Sequence, residues 1–215
     1  SSVPLDFWCE ARRQVEEVRP GCIWLAESVH GAYVLGMRRM GAACATDTEL
    51  YRAFDMTYDY DIWPFYEGFM KGELSLRAYT DILNYQELTY PTGYIKARCL
   101  ENHDTRRAAS WLTSDSQLYH WLGFLYFQRG AAMQYAPKKQ VGLFDADDNY
   151  GDMRLDVQLY LTACKAMKQT LPLGGGFWWE PLNDSAALGH YDGPEGRVLG
   201  VFDLLGQGGE VAVGL

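Results

Sequence analysis

Apolar positions in the first 170 residues switch between two spacings. Leu5, Trp8, Ala11, Val15 and Val18 recur at three- and four-residue steps, with Asp6 and Glu10 early and Arg19 late. They predict a helix over 5–19, stopped by Pro20-Gly21. A continuous apolar run, Cys22-Ile-Trp-Leu-Ala26, then predicts a strand over 22–28. Within 31–54, segments 35–40 and 50–54 are short helix candidates. Residues 56–60 read as a second strand, and Ile62, Phe65, Tyr66 and Phe69 share one face of a helix over 62–71. Ser75 is suited to cap a helix over 76–88. A third strand over 95–100 follows the Pro91-Thr-Gly93 turn, and Asp104 or Thr105 is positioned to cap a helix reaching Leu112. Helix 116–129, strand 131–136, a loop over 137–151 and helix 152–169 complete the series.

A helix followed by four strand–helix repeats means a parallel sheet and the α/β class. Four such units in ~150 residues make half of a (β/α)8 (TIM) barrel, whose full length is ~250 residues. An open four-stranded parallel sheet is the alternative. Either form leaves strand edges to be covered, which a homo-oligomer would do. From Pro172 the spacing changes to short alternating runs punctuated by glycine. Runs 198–202 and 210–213 predict antiparallel strands, the second broken off at the chain end. The division is therefore 1–170 for the barrel half and 171–215 for a truncated β module, with Trp178-Trp179 joining the two.

Composition narrows the function classes. The 215 residues are 48% hydrophobic, enough to bury a sizeable core. A net charge of −9, with only the short basic pairs Arg38-Arg39, Arg106-Arg107 and Lys138-Lys139, excludes a nucleic-acid-binding surface. No apolar run nears the ~20 residues that span a bilayer, so no membrane partner is expected. Five cysteines without a CxxC pair, two of them inside apolar runs, read as free thiols in a reducing, cytoplasmic setting. The chain opens on Ser1-Ser2 without Met and is read as a fragment or processed product, which leaves a secreted origin open. Fifteen Tyr, nine Phe and seven Trp supply a rich core, with some rings left over to line a groove for sugars or other neutral ligands.

In a parallel sheet, ligands bind at the carboxyl ends of the strands. Here two strands each end in a carboxylate and a histidine. The first delivers Glu27, Ser28 and His30; the second delivers Glu101, Asn102, His103, Asp104, Thr105, Arg106 and Arg107. Each also has a plain structural reading: Glu27 as the partner of an arginine, Asp104 as a helix cap, His103 as a structural histidine and His30 as a solvent-facing one. Glu27, His30, His103 and Asp104 as a metal set lack the tight local spacing of zinc ligands. Tyr58, Tyr60 and Trp63 follow a strand and would either stack on sugar or pack in the core.

Trp24-Leu-Ala-Glu27 and Glu101-Asn-His-Asp104, whose carboxylates are 77 residues apart, bring a family into view. The chain resembles the second half of an α-amylase-family glycoside hydrolase, with the glycine-rich tail resembling the start of that family's C-terminal β-sandwich. The resemblance implies a general acid/base at Glu27 and a transition-state stabiliser at Asp104. It places His103 on the sugar hydroxyls of the substrate, an α-1,4-glucan such as starch or a maltooligosaccharide; Asn102, His30, Arg107 and Tyr60, by their positions at the strand ends, are read as further substrate-binding residues. Gly130 through Lys139 is similar to the eighth-strand motif Gly-x-Pro-x-x-Tyr-x-Gly-x-Glu, with Ala132, Pro137 and Lys139 replacing its proline, second glycine and glutamate. Ser2-Val-Pro-Leu-Asp-Phe-Trp8 matches the stretch just after the family's nucleophile, so that aspartate and the first four strands are expected upstream of Ser1. The resemblance implies no cofactor on this chain, a family calcium site falling in the absent part. It leaves two activities open: retaining hydrolysis or transfer, and an inactive, glucan-binding or oligomerising fragment.

The chemistry sets further expectations. The apolar run before Glu27 is expected to surround its carboxyl and keep it protonated. Asp104, beside Asn102, Arg106 and Arg107, is expected to stay ionised and stabilise an oxocarbenium charge. Retention needs a nucleophilic carboxylate ~5–5.5 Å from the acid, for which Asp59 or Asp61 is the candidate within this chain.

Overall fold

The computed structural model describes residues 3–105, 108–133 and 155–213. Side-chain caps decide where four of its helices begin. Ser75 accepts from the Ala78 N–H at 3.2 Å and starts the helix Leu76–Thr89; Ser114 does the same for Asp115–Phe127. His30 Nδ1 accepts from the Tyr33 N–H, so the helix expected over 35–40 runs instead over Gly31–Arg39. Thr46 and Glu49 form a capping box, and the helix expected over 50–54 is Asp47–Leu50. In chain order the helices are α1 Leu5–Val18, α2 Gly31–Arg39, α3 Asp47–Leu50, α4 Trp63–Met70, α5 Leu76–Thr89, α6 Asp115–Phe127 and α7 Leu155–Thr170. The strands are β1 Leu25–Ala26, β2 Met56–Tyr58, β3 Lys96–Arg98, β4 Ala131–Ala132, β5 Gly176–Pro181, β6 Ala186–Gly193 and β7 Gly196–Asp203.

Strands β1 to β4 form one parallel sheet in sequence order, with helices between them: a partial α/β barrel. The register aligns Ala26 with Thr57 and Thr57 with Lys96, while Leu25 aligns with Met56, and Tyr58 with Ala97. Successive side chains point to opposite faces. Ala26, Thr57, Lys96 and Arg98 therefore face the helix layer, and Leu25, Met56, Tyr58 and Ala97 face the concave side. The strands are shorter than the apolar runs that announced them. At β1, which has one neighbour, the run is not buried: Ile23 is 77% exposed and Leu25 41%.

The helix-facing side of β3 carries charge in what reads as a largely apolar run. Lys96, fully buried, donates to Asp47, stands 3.4 Å from Asp61 and lies 4.2 Å from the centre of the Tyr90 ring. Arg98 donates to Asp59 at 2.5 Å, to Gln86 at 2.9 Å and to the Arg129 carbonyl at 2.6 Å. Burial is the largest influence and works against the Arg98 charge, but Asp59 together with Tyr94, Glu87 and Tyr79 outweighs it and the net shift of its pKa is upward. Buried charges are tolerated in this way, when paired and hydrogen-bonded.

Strands β5 to β7 form an antiparallel sheet packed on α5 and α6. Its inner face meets the helices in one hydrophobic cluster that includes Trp121, Phe124, Phe127, Trp179 and Phe202. The rings of Phe124 and Trp179 are 4.2 Å apart, and Asn84 bonds both the N–H and the carbonyl of Trp179. Alternation divides the Trp178-Trp179 pair. Trp179 joins the helices, whereas Trp178 lies on the outer face, stacked on His190 at 4.5 Å. The strand expected over 210–213 is not formed: β5 and β6 complete the sheet, and residues 204–213 carry no strand.

The segment after β3 also departs from the expected helix. No α-helix runs from Asp104 to Leu112; among the described residues only Ala108–Ser110 form a 3-10 turn. The Asp104 N–H is taken by Asn102 Oδ1, and the Asn102 N–H by the Thr105 hydroxyl, so these groups build a local turn rather than a cap. All five cysteines are free, with Cys44 and Cys164 buried and Cys9, Cys22 and Cys99 only partly so. No described helix is long and apolar enough to cross a membrane.

Candidate active site

Three strand ends meet at one place. Beyond β1 stands Glu27, beyond β2 Tyr60, and beyond β3 the turn 101–105. The turn is held at its base by Glu101, which is buried and accepts from the Ala108 N–H at 2.5 Å. Ser28 donates to the Tyr58 carbonyl at 3.1 Å and ties the first two strand ends together.

The open side of this junction carries the expected carboxylates. His103 Nε2 lies 3.1 Å from Glu27 Oε1 and 3.4 Å from Asp104 Oδ2. Tyr60 donates its hydroxyl to Asp104 Oδ2 at 3.1 Å and accepts from Asn102 Nδ2 at 2.9 Å. Burial, then the Asp104 hydrogen bond, pushes the Tyr60 hydroxyl pKa upward, so it serves as a proton donor. Glu27, His103, Asp104, Asn102 and Tyr60 are thus one connected constellation.

The apolar enclosure expected for Glu27 is not there. Its side chain is 52% exposed, beside the half-exposed side chains of His103 (45%) and Asp104 (57%), because β1 is an edge strand. One ligand atom from each of the three lies within 4.8 Å of the others, a donor set that His30 does not join. His30 instead lines the adjoining cavity of about 460 Å³, with Val29, Tyr33, Tyr60, Trp63, Asp104 and others. Tyr33 and Glu67, also in that lining, were not singled out from the sequence; Tyr33 follows His30 by one turn of α2, the only signal that pointed to it.

Asp59 and Asp61 are turned away from this side. Asp59 is buried with Arg98 and Gln86, and Asp61 bonds Tyr90 and faces Lys96. Neither is placed to act as a nucleophile beside Glu27. Cys99 at the end of β3 is held inert by burial, which pushes its thiol to about 12. Arg106, Arg107, Pro137 and Lys139 lie outside the described residues.

No protein-family model and no curated protein matches the chain. Among solved structures, an α-amylase from Lactobacillus plantarum is 33% identical and superposes with a TM-score of 0.88 over 100% of this chain and 52% of its own. The maltogenic α-amylase AmyB from Thermotoga neapolitana is 29% identical, with a TM-score of 0.73 over 95% of this chain and 47% of its own. A cyclic α-maltosyl-(1→6)-maltose hydrolase from Arthrobacter globiformis, solved with that sugar, shares the fold at 16% identity and a TM-score of 0.67, over 93% and 45%. The chain spans about half the length of these structures. With a partial (β/α)8 barrel and a small antiparallel sheet, matched over its full length by an amylase, this chain is similar to one half of an α-amylase-family glycoside hydrolase.

Proposed function

We propose that this chain carries the acid/base side of a retaining site for α-1,4-glucans. Glu27 protonates the departing glycosidic oxygen and later activates water. Asp104 holds a negative charge against the oxocarbenium-like carbon, and His103 and Asn102 hydrogen-bond sugar hydroxyls. One observation carries the reading: carboxylates from two non-neighbouring strands meet at a single histidine nitrogen, 3.1 and 3.4 Å away, beside an aromatic-lined cavity. Retaining glycoside hydrolysis pairs an acid with a nucleophilic carboxylate across the scissile bond, and Glu27 supplies the acid of that pair while Asp104 adds charge beside it.

Double displacement also needs a nucleophile. With Asp59 and Asp61 held in the helix layer, we assign that carboxylate to a residue outside this chain. The same fact favours a second reading, in which the chain alone binds glucan without turning it over and a second copy covers the free edges of β1 and β4.

Hydrolysis of maltohexaose by the 215-residue chain, beside a version extended upstream, tests these readings. The extended version is expected to release the α-anomer, and Glu27→Gln or Asp104→Asn to slow it by roughly 10²–10⁴-fold. Undiminished turnover in the double variant would overturn the assignment. Activity of the extended version alone would favour the second reading for the shorter chain.

A further inference from the structure

Tyr60 opens a short 3-10 turn, Tyr60–Ile62, that no side chain caps. Asp59, just ahead of it, is a capping type of residue. Its carboxylate goes elsewhere, into the helix layer, where Arg98 donates to it at 2.5 Å and Gln86 at 2.6 Å. On the other side of Tyr60, Asp61 accepts from the Tyr90 hydroxyl and stands 3.4 Å from Lys96 Nζ. Both neighbours of Tyr60 are therefore tied to cations of one strand, β3.

The tie closes on itself. Strand β3 leads into the turn 101–105, where Asp104 accepts from the Tyr60 hydroxyl at 3.1 Å and Asn102 donates to it at 2.9 Å. Tyr60 is thus held twice by the same strand, through its flanking residues on the helix side and through its hydroxyl at the strand end. Alone, a bond between a tyrosine and a solvent-facing carboxylate is largely offset by the entropy of ordering both side chains. Here Lys96 and Arg98 do the ordering from sites that water does not reach, where salt and solvent screen their attraction little.

We infer that Lys96 and Arg98 are positioning residues for the strand-end site. Through Asp61 and Asp59 they fix Tyr60, and Tyr60 fixes the Asp104 carboxylate and the Asn102 amide that meet the ligand. The inference rests on reading Glu27, His103 and Asp104 as a glucan site. Asp61 is the informative position, because its side chain is 21% exposed and a change there leaves Lys96 paired with Asp47.

Calorimetric titration of the 215-residue chain with maltotriose, around a double-mutant cycle of Asp61→Asn and Tyr60→Phe, tests this. Asp61→Asn is expected to weaken binding by roughly three- to fivefold, with an unchanged circular dichroism spectrum. It is expected to add nothing to the loss caused by Tyr60→Phe, because it acts only through that hydroxyl, whereas a general loosening of the fold would add to it. Should Asp61→Asn unfold the chain, Tyr90→Phe takes its place in the cycle with the same expectation, since it removes the hydroxyl from Asp61 and leaves a ring beside Lys96. An unchanged affinity in the folded single variant, or losses that multiply in the double variant, would overturn the positioning role while leaving the site intact. No binding of maltotriose by the unmodified chain would overturn both.

Discussion

Tyr60 donates its hydroxyl hydrogen to Asp104 across 44 residues of sequence, at 3.1 Å. The residues on either side of it, Asp59 and Asp61, turn the other way to Arg98 and Lys96. Two carboxylates anchored in the helix layer thus hold the turn after β2, and the tyrosine between them is delivered to the concave side. Tyr60→Phe removes a bond to a charged group, worth ~1.5–3 kcal/mol when buried and less here, since Asp104 is largely exposed. Maltotriose affinity, read by calorimetry, is expected to fall by roughly five- to tenfold. An unchanged affinity would remove Tyr60 from the site.

Lys96 is the most costly side chain to lose from the sheet. Its fully buried ammonium faces Asp47, whose own carboxyl is held above its usual pKa by burial in spite of that lysine. Lys96→Met leaves Asp47 buried without its counter-charge, and urea unfolding is expected to report a loss of about 3–5 kcal/mol. Adding Asp47→Leu to that variant is expected to restore part of the loss. A double variant no more stable than Lys96→Met would show that the charge pairing is not the cause.

Alkali should unfold the chain by a defined route. Burial raises the hydroxyl pKa of Tyr79, Tyr90, Tyr94 and Tyr191 above the ordinary 10. A phenol of this kind keeps its proton in the folded state after the unfolded chain has lost it. Its contribution to stability is complete below pH 10 and is lost as pH rises beyond that value. Urea midpoints are expected to drop between pH 10 and 11, and Tyr79→Phe to make that drop smaller. A drop of the same size in the variant would contradict the assignment.

The two sheets should melt as one body, because Phe127 of α6 packs into gaps left by Gly189 and Gly200. A Cβ at Gly189 would stand 2.5 Å from the Phe127 ring and 2.7 Å from that of Trp179. Gly189→Ala is expected to cost about 1–3 kcal/mol by overpacking and to lower a single, shared thermal transition. Two separate transitions, with only the β signal shifted, would contradict a common core.

Much of this was legible from local signals. Ser75 marks a helix start by chemistry acting over three residues, and α5 and α6 lie close to where their periodicity put them. The order of the four parallel strands follows from alternation. The carboxylate–histidine strand ends also came together, since the register of a parallel sheet brings its carboxyl ends to one side. What could not be read is non-local. Lys96 and Arg98 find their carboxylates 49 and 39 residues away, so a strand that reads as apolar carries a buried ionic layer. Glu27 looked enclosed because its neighbours in sequence are apolar, yet enclosure depends on the strand beside β1. Strands β5 and β6 were hidden by the glycines and the Asn183-Asp184 turn that punctuate them.

The central claim is that Glu27, His103 and Asp104 form one glucan site. Titrating maltotriose against the unmodified chain, His103→Ala and the Glu27→Gln/Asp104→Asn double variant tests it most directly. Saturable binding by the unmodified chain is expected, with a loss of roughly tenfold or more in both variants and folded spectra retained. Equal binding by all three proteins would contradict it.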